Sequence, residues 1–344
     1  MNPYPSSSNT HVRFGVMGAG LIGCYLGGLI ASSGRAVTLI GRGRIQGDIA
    51  ENGLNLTHFA QASRQPDRFV YATDPSALSS CDVVLVCVKS HQTKDVAREL
   101  ANHIRSDALV ISFQNAIGND AILSDILPGC DVISGMVPFN VTSPQPGNFH
   151  KGTEGPLFMR AISDQRLIEM KTAFEEAGQA VELREPMEGV LWGKLLLNLN
   201  NPLNTLHGGS LRSGLLQSGY RKVLACCMRE GLAALDAAGI SPVSATSMAP
   251  RKIPGILSLP TPVYRILMDR LLRIDRTARS SMLDDLTLGR QSENAHIQGE
   301  IIRLGQRFGV DVSTNRRVSM AVEQAFEAGM SPRLTGREMA KRFL

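Results

Sequence analysis

The stretch that most constrains this chain is Gly18-Ala19-Gly20-Leu21-Ile22-Gly23, set directly behind the apolar residues Val12, Phe14 and Val16. Val12 to Met17 reads as a buried strand, and Leu21 to Ser32 as a small-residue helix able to pack close to a sheet. A glycine turn between such elements is a seat for phosphate. Its N–H groups point outward, no Cβ blocks a close approach, and the helix dipole favours negative charge. The spacing alone fits a plain structural turn equally well. Strand before and helix behind favour a dinucleotide pyrophosphate.

The next apolar run, Ala36 to Ile40, is where the second strand of such a unit ends. An Asp or Glu near that point accepts the ribose 2′-hydroxyl in NAD-binding sites. No acidic residue occurs between Gly20 and Gly47; the strand runs instead into Gly41-Arg42-Gly43-Arg44. Guanidinium groups there suit a 2′-phosphate through charge-assisted hydrogen bonds. The competing reading is a pair of solvated surface arginines, and NADP (NADPH) is the preferred cofactor.

With 344 residues the chain is long enough for two domains, and 43% apolar against 19% charged residues suits packed cores. The net charge of +5 is spread out, with no lysine block, so nucleic acid is not expected as a partner. The six cysteines show no metal-ligand spacing, and no metal site is expected; reduced structural thiols fit a cytoplasmic protein. Met1 to Thr10 reads as a loose polar tail rather than a signal peptide. No run approaches the roughly 18 apolar residues that span a bilayer.

From Val12 to about Val181 strand-like and helix-like runs alternate. Asp82 to Val88, Leu109 to Phe113, Val132 to Met136 and Gln179 to Leu183 read as strands. Gln92 to His103, Gly118 to Leu127 and Gln165 to Ala177 read as helices, and Pro144 to Pro156 as hairpin and loop. This alternation predicts an α/β, Rossmann-type doubly wound parallel sheet over residues 11–185. Past Arg184-Glu185-Pro186 the apolar spacing is helical throughout, predicting an all-α C-terminal domain over 186–344. Its expected helices are Val190–Leu206, Gly214–Ala238, Val263–Arg273, Arg279–Leu288, Glu293–Phe308 and Asn315–Ala328. Arg265, Arg270, Arg273, Arg276 and Arg279 form a basic stretch that reads as a solvated helix face. Pairing across it would give a homodimer, and the sequence is equally compatible with a monomer.

Two constellations in the helical half can carry chemistry. In Trp192-Gly193-Lys194 to Asn201-Pro202, residues Lys194, Asn198 and Asn201 stand at i, i+4 and i+7, so they share one helix face. A lysine and two amides among leucines are costly unless they line a polar cavity. The bland alternative is a snorkelling lysine with asparagines capping their neighbours. The second constellation is Ser280-Ser281 to Asp285, followed by Gly289-Arg290-Gln291-Ser292-Glu293. Taken alone, Ser292 and Glu293 simply open a helix.

Together these motifs make the chain resemble the ketopantoate reductase (2-dehydropantoate 2-reductase) family, from Val12 to about Phe308. The resemblance rests on the glycine turn, Val88-Lys89, Gln114 to Gly118, Gly147 to Gly152, Trp192-Gly193-Lys194, and Ser281 to Glu293. It implies NADPH-dependent reduction of ketopantoate to pantoate, a step of pantothenate and hence coenzyme A synthesis, in a cleft between the two domains. It further implies that Lys194 is the general acid and that Glu293 lies close to the lysine, substrate and cofactor. Asn115, Asn198, Asn201 and Ser281 would bind the 2-keto acid. The turn residues Gly18, Ala19, Gly20, Leu21, Ile22 and Gly23, with Arg42, Lys89, Asn115 and Glu293, would contact the cofactor.

Three departures stand out. The family's second asparagine usually lies eight residues beyond the lysine, whereas Asn201 lies seven beyond. Either Asn200 or Asn201 then serves, or the helix bulges. An Asp-Tyr pair after the glutamate is replaced by Ala295-His296, and the section from Ser244 to Arg276 is longer. All fall on the substrate side, which leaves open a paralogous reductase of another keto acid. From a different class, a non-catalytic NADP-binding redox sensor is the third reading. It has no use for Lys194 and Glu293.

Overall fold

The computed structural model describes residues 12–58, 61–244, 248–271 and 278–344. The expected tail Met1–Thr10, and Arg273 and Arg276 of the basic stretch, lie outside these. The chain divides into two units, residues 1–187 and 188–344.

The first unit runs β1 (Phe14–Met17), α1 (Leu21–Ser32), β2 (Val37–Ile40), α2 (Gly43–Asn52), β3 (Asn55–His58), β4 (Gln61–Arg64), β5 (Phe69–Ala72) and β6 (Val83–Val86). It continues α3 (Thr93–His103), β7 (Leu109–Ser112), α4 (Asn119–Ile126), β8 (Asp131–Met136), β9 (Val141–Thr142), β10 (Asn148–Lys151), β11 (Leu157–Arg160), α5 (Gln165–Glu176) and β12 (Val181–Arg184). Eight strands form one sheet in the order β12-β11-β8-β7-β6-β1-β2-β5. All its junctions are parallel except β8 with β11. Parallel strands buried on both faces need apolar residues at every position, and Val83-Val84-Leu85-Val86 supplies them. Val83 and Leu85 pack on one side in a core shared with α1 and α5. Val84 and Val86 pack on the other with α3 and α4 residues. The expected doubly wound sheet is therefore present.

Residues 43–72, for which the sequence suggests no helix or strand, form α2, β3, β4 and β5. They contribute to a second sheet, not expected from the sequence, ordered β4-β3-β10-β9. Of the hairpin and loop expected between Pro144 and Pro156, only β10 falls within those bounds; its antiparallel partner β9 precedes them, and β10 also pairs in parallel with β3. Glycines let α1 fit tightly. A Cβ on Gly27 would lie 2.3 Å from Leu39 of the large sheet, and one on Gly28 2.8 Å from Leu56 of β3.

The second unit is helical: α6 (Glu188–Asn198), α7 (Asn200–His207), α8 (Leu211–Leu215), α9 (Ser218–Ala237), α10 (Ile253–Leu257), α11 (Thr261–Leu271), α12 (Ser281–Thr287), α13 (Gln298–Phe308), α14 (Ser313–Glu327) and α15 (Gly336–Phe343). Three expected helices are corrected. Val190–Leu206 is two helices parted at Leu199; Gly214–Ala238 is α9 preceded by the short α8; and Glu293–Phe308 is a 3-10 turn (Asn294–His296) followed by α13. The helix α15, with a reciprocal Thr335–Glu338 capping box, was not anticipated.

Arg221 of α9 is 1% exposed and has no carboxylate partner among the described residues. Its guanidinium donates to the carbonyls of Leu215 (2.9 Å), Leu257 (3.1 Å) and Leu259 (3.0 Å) and to Thr261 Oγ1 (3.1 Å). The group lies 4.3 Å from the centre of the Tyr264 ring. From the other face of α9, the Glu230 carboxylate accepts the N–H groups of Thr314 and Asn315, both at 2.9 Å, and so caps α14.

Candidate active site

Each glycine of the Gly18–Gly23 turn has its own reason. Gly18 sits at φ +100°, and a Cβ there would lie 2.6 Å from the Val88 side chain. At Gly23 a Cβ would lie 2.3 Å from the Gly18 carbonyl oxygen, so this glycine permits the close strand–helix turn. Gly20 differs: its φ is −93°, and a Cβ would meet no atom within 4 Å. Nothing in the unit demands glycine there. A glycine there leaves the backbone open to close approach by a group outside the chain. No side chain caps the start of α1, so its first-turn N–H groups suit a pyrophosphate.

The turn is fixed by β2, whose Ile40 carbonyl accepts the N–H groups of Gly18 (3.0 Å) and Ala19 (2.7 Å). Tyr71 Oη lies 3.3 Å from both the Ala19 and Arg42 carbonyl oxygens, tying the turn to Arg42. Arg42 occupies the N-cap position of α2 with its side chain exposed. Arg44 is different: it pairs with Asp48 four residues on, at 2.9 Å.

Lys89 and Asn115 follow the C-terminal ends of β6 and β7, the edge at which doubly wound sheets bind ligands. The loops carrying them are knit by a buried polar network absent from the expected site. Ser90 Oγ donates to the Asn115 carbonyl (2.6 Å), as does Asn119 Nδ2 (2.7 Å). Gln114 Nε2 donates to Thr93 Oγ1 (2.8 Å) and to the Val88 carbonyl (3.2 Å). Under this clamp Ala116 holds φ +81°, a left-handed conformation costly for a residue with a Cβ. By contrast, the Gly147–Gly152 motif is structural: Phe149 and Lys151 are buried, and Lys151 Nζ donates to Gln179 Oε1 at 2.8 Å.

In the second unit α6 carries Lys194. The two glycines before it let a neighbouring segment lie against the helix. The Val243 N–H donates to the Gly189 carbonyl (2.8 Å), and a Cβ on Gly193 would lie 1.9 Å from the Val243 oxygen. Lys194 is half-buried and Glu293 is 4% exposed. Burial draws the Lys194 ammonium down from 10.5 to about 8, while the charge of Glu293 pulls it back up. These two predicted residues are thus brought into one electrostatic unit.

The break at Leu199 puts Asn198 at the end of α6 and Asn201 in the first turn of α7, so the single shared helix face does not extend as expected. The Leu199 N–H is split between the carbonyls of Leu195 (3.2 Å) and Leu196 (3.4 Å). Asn200 has a packing partner: Tyr220 Oη donates to its Oδ1 at 2.6 Å. The start of α12 docks on α7, where the Ser280 N–H donates to Asn204 Oδ1 (2.9 Å) and Ser280 Oγ to the Asn201 carbonyl (3.4 Å). That docking brings exposed Ser281, the first residue of α12, to the Asn201 helix. Asn204, fully buried, was not singled out in the sequence, although its place three residues after Asn201 was visible.

The profile described as "Ketopantoate reductase PanE/ApbA" matches residues 14–163, and that of the family's C-terminal domain matches residues 187–325. A 2-dehydropantoate 2-reductase from Halobacterium salinarum is 26% identical over 326 residues, covering 92% of this chain and all of the relative. The crystal structure of a PanE/ApbA family ketopantoate reductase from Ralstonia eutropha JMP134 superposes with a TM-score of 0.77 at 28% identity, covering 92% of this chain and 99% of that one. A D-mandelate dehydrogenase solved with NADH and anilino(oxo)acetate shares the fold, with a TM-score of 0.74 at 18% identity over 92% of this chain and 99% of that one. No helix among the described residues is long and apolar enough to cross a membrane. With both profiles matched in order and most of the chain covered, the protein belongs to the ketopantoate reductase PanE/ApbA family of oxidoreductases.

Proposed function

We propose that this chain reduces a small 2-keto acid to the 2-hydroxy acid with NADPH, ketopantoate being the first substrate to test. One observation carries the reading: Lys194, half-buried on a leucine-rich helix, lies in the field of Glu293, itself 4% exposed, and its burial lowers its pKa towards neutrality, to about 8. A proton donor works best when its pKa lies near the operating pH. When bound, the reduced dinucleotide supplies a hydride to the carbonyl carbon. Lys194 Nζ gives its proton to the ketone oxygen and, as an ammonium, stabilises the negative charge developing there. Glu293 keeps the lysine protonated and oriented. Asn198 and Asn201 donate amide N–H groups to the substrate, with Asn200 left to Tyr220, and Ser281 holds the carboxylate.

On the cofactor side the turn from Gly18 to Gly23 receives the pyrophosphate, Arg42 the 2′-phosphate, and Lys89 and Asn115 further polar groups of the dinucleotide. In this reading residues 11–185 form the cofactor domain and 186–344 the substrate domain, of a protein working in the cytoplasm. The six free cysteines support a reducing compartment.

The test mixes purified protein with NADPH and a panel of 2-keto acids that includes ketopantoate, following the absorbance of the reduced nicotinamide. Absence of turnover with every member, despite NADPH binding, would sink the enzyme reading. A second reading, a reductase of another keto acid, is favoured by Ala295 and His296 beside Glu293. Turnover on a different keto acid but not on ketopantoate selects it.

A further inference from the structure

Glu293 does not sit on a long helix. It precedes a single 3-10 turn, Asn294–His296, which ends where Ile297 leaves helical geometry (φ −115°, ψ −80°). Such a turn has weak internal hydrogen bonds, so its position depends on what it is anchored to. The buried anchor is Asn294, 1% exposed, whose Nδ2 donates to Ser319 Oγ (2.8 Å), the Ser319 carbonyl (3.2 Å) and Glu323 Oε1 (3.3 Å) of α14. Its own N–H is held by Ser292 Oγ at 3.0 Å, on the other side of Glu293. A second anchor, Arg303 Nη2 to the Ala295 carbonyl at 2.8 Å, is exposed and engaged with Glu300.

We infer that Asn294 is a positioning residue for proton transfer: by clamping the turn to α14 it holds the Glu293 carboxylate where it acts on Lys194. The inference rests on the reading of Lys194 as proton donor. The charged and titratable groups on and beside the turn include Glu293, His296 of the turn itself, Glu323 on α14, and Arg303 and Glu300 on α13; Lys194 on α6 feels Glu293. Loosening the clamp lets the carboxylate drift, and the lysine loses the attraction that opposes its burial. The effect must pass through Glu293. A residue that merely stabilises α14 would leave the lysine's titration alone.

The experiment reads Lys194 directly in the full chain, by trace acetylation across pH with mass spectrometry. The wild-type midpoint should lie at about 8. Asn294→Ala should lower it by about half a unit, roughly a threefold change in the ratio of ammonium to amine, and lower kcat with little change in KM for NADPH. Glu293→Gln should lower the midpoint further, and adding Asn294→Ala to that variant should change nothing more, since a residue acting through another is not additive with it. Should Asn294→Ala fail to fold, Ser319→Ala removes the closest acceptor and should shift the midpoint the same way. An unshifted midpoint in the folded variant, or an equal shift in the Glu293→Gln background, overturns the inference. This readout needs no turnover, so failure of every keto acid would count against the enzyme reading and not against Asn294.

Discussion

At the scale of single residues, Lys194 and Gly20 carry the sharpest expectations. Lys194→Ala should cut kcat by about 10²- to 10⁴-fold, the usual size of a general-acid effect, and a variant that lost NADPH affinity but kept kcat would contradict its role. Because the donor must be protonated, the rate of reduction should hold below about pH 8 and fall above it. In Glu293→Gln the attraction is gone, so that limb should move to lower pH; a limb that stays put would separate the two residues. The same shift bears on folding, since between about pH 8 and the ordinary lysine value the unfolded chain binds more protons, and this group adds stability as pH rises through that window. Gly20 and Gly23 of the turn should respond differently. Gly20→Ala, whose Cβ meets nothing, should unfold like wild type yet bind NADPH weakly. Gly23→Ala, 2.3 Å from the Gly18 oxygen, should lower the urea midpoint. Lys194 and the glycines were legible because their residue types are costly without a purpose, whereas Glu293 was legible only through the family resemblance, since alone it reads as a helix opening. Asn294 was not, because an asparagine after a glutamate carries no signal until its partners 25 and 29 residues away are known.

At the scale of elements, legibility followed how local each element's causes are. Helix α1 matches its expected span, Leu21–Ser32, and the apolar run behind β6 was visible because its residues are buried on both sides. Strand β3 reads Asn-Leu-Thr-His, with Leu56 its one buried side chain. It exists because β10, more than 90 residues on, pairs with it. No local pattern announces that. The break at Leu199 was signalled only by the asparagine spacing, which left a bulge open, since Asn198 to Pro202 keeps helical spacing while the hydrogen bonding changes at one residue. The helix before it depends on Gly193, which lies under the Val243 carbonyl. Gly193→Ala should cost about 2 kcal/mol or more, as overpacking does, and should lower kcat by displacing its neighbour Lys194. Urea unfolding together with kinetics on the folded fraction checks both; an undisturbed protein would mean the 241–243 segment yields freely.

At the scale of the whole molecule, two units with separate cores imply that a ligand of one need not stabilise the other equally. NADPH at about a hundred times its Kd should stabilise the binding-competent fold by roughly 2.7 kcal/mol, visible as a rise in Tm. NADH at the same concentration should give a smaller rise, and Arg42→Ala should erase the difference; equal losses for both dinucleotides would argue against a 2′-phosphate contact. The apolar spacing after Pro186 announced a helical second half, but the long section after Ser244 had no evident use. Arg221 supplies one. Its guanidinium is paired with backbone oxygens at Leu257 and Leu259 rather than with a carboxylate, so the positive charge and that section are a single design unit. An engineer trimming the chain here to match a shorter relative would strand a cation in the interior. The deletion must be made together with an apolar replacement at position 221, and grafting the section onto another scaffold must bring the arginine with it.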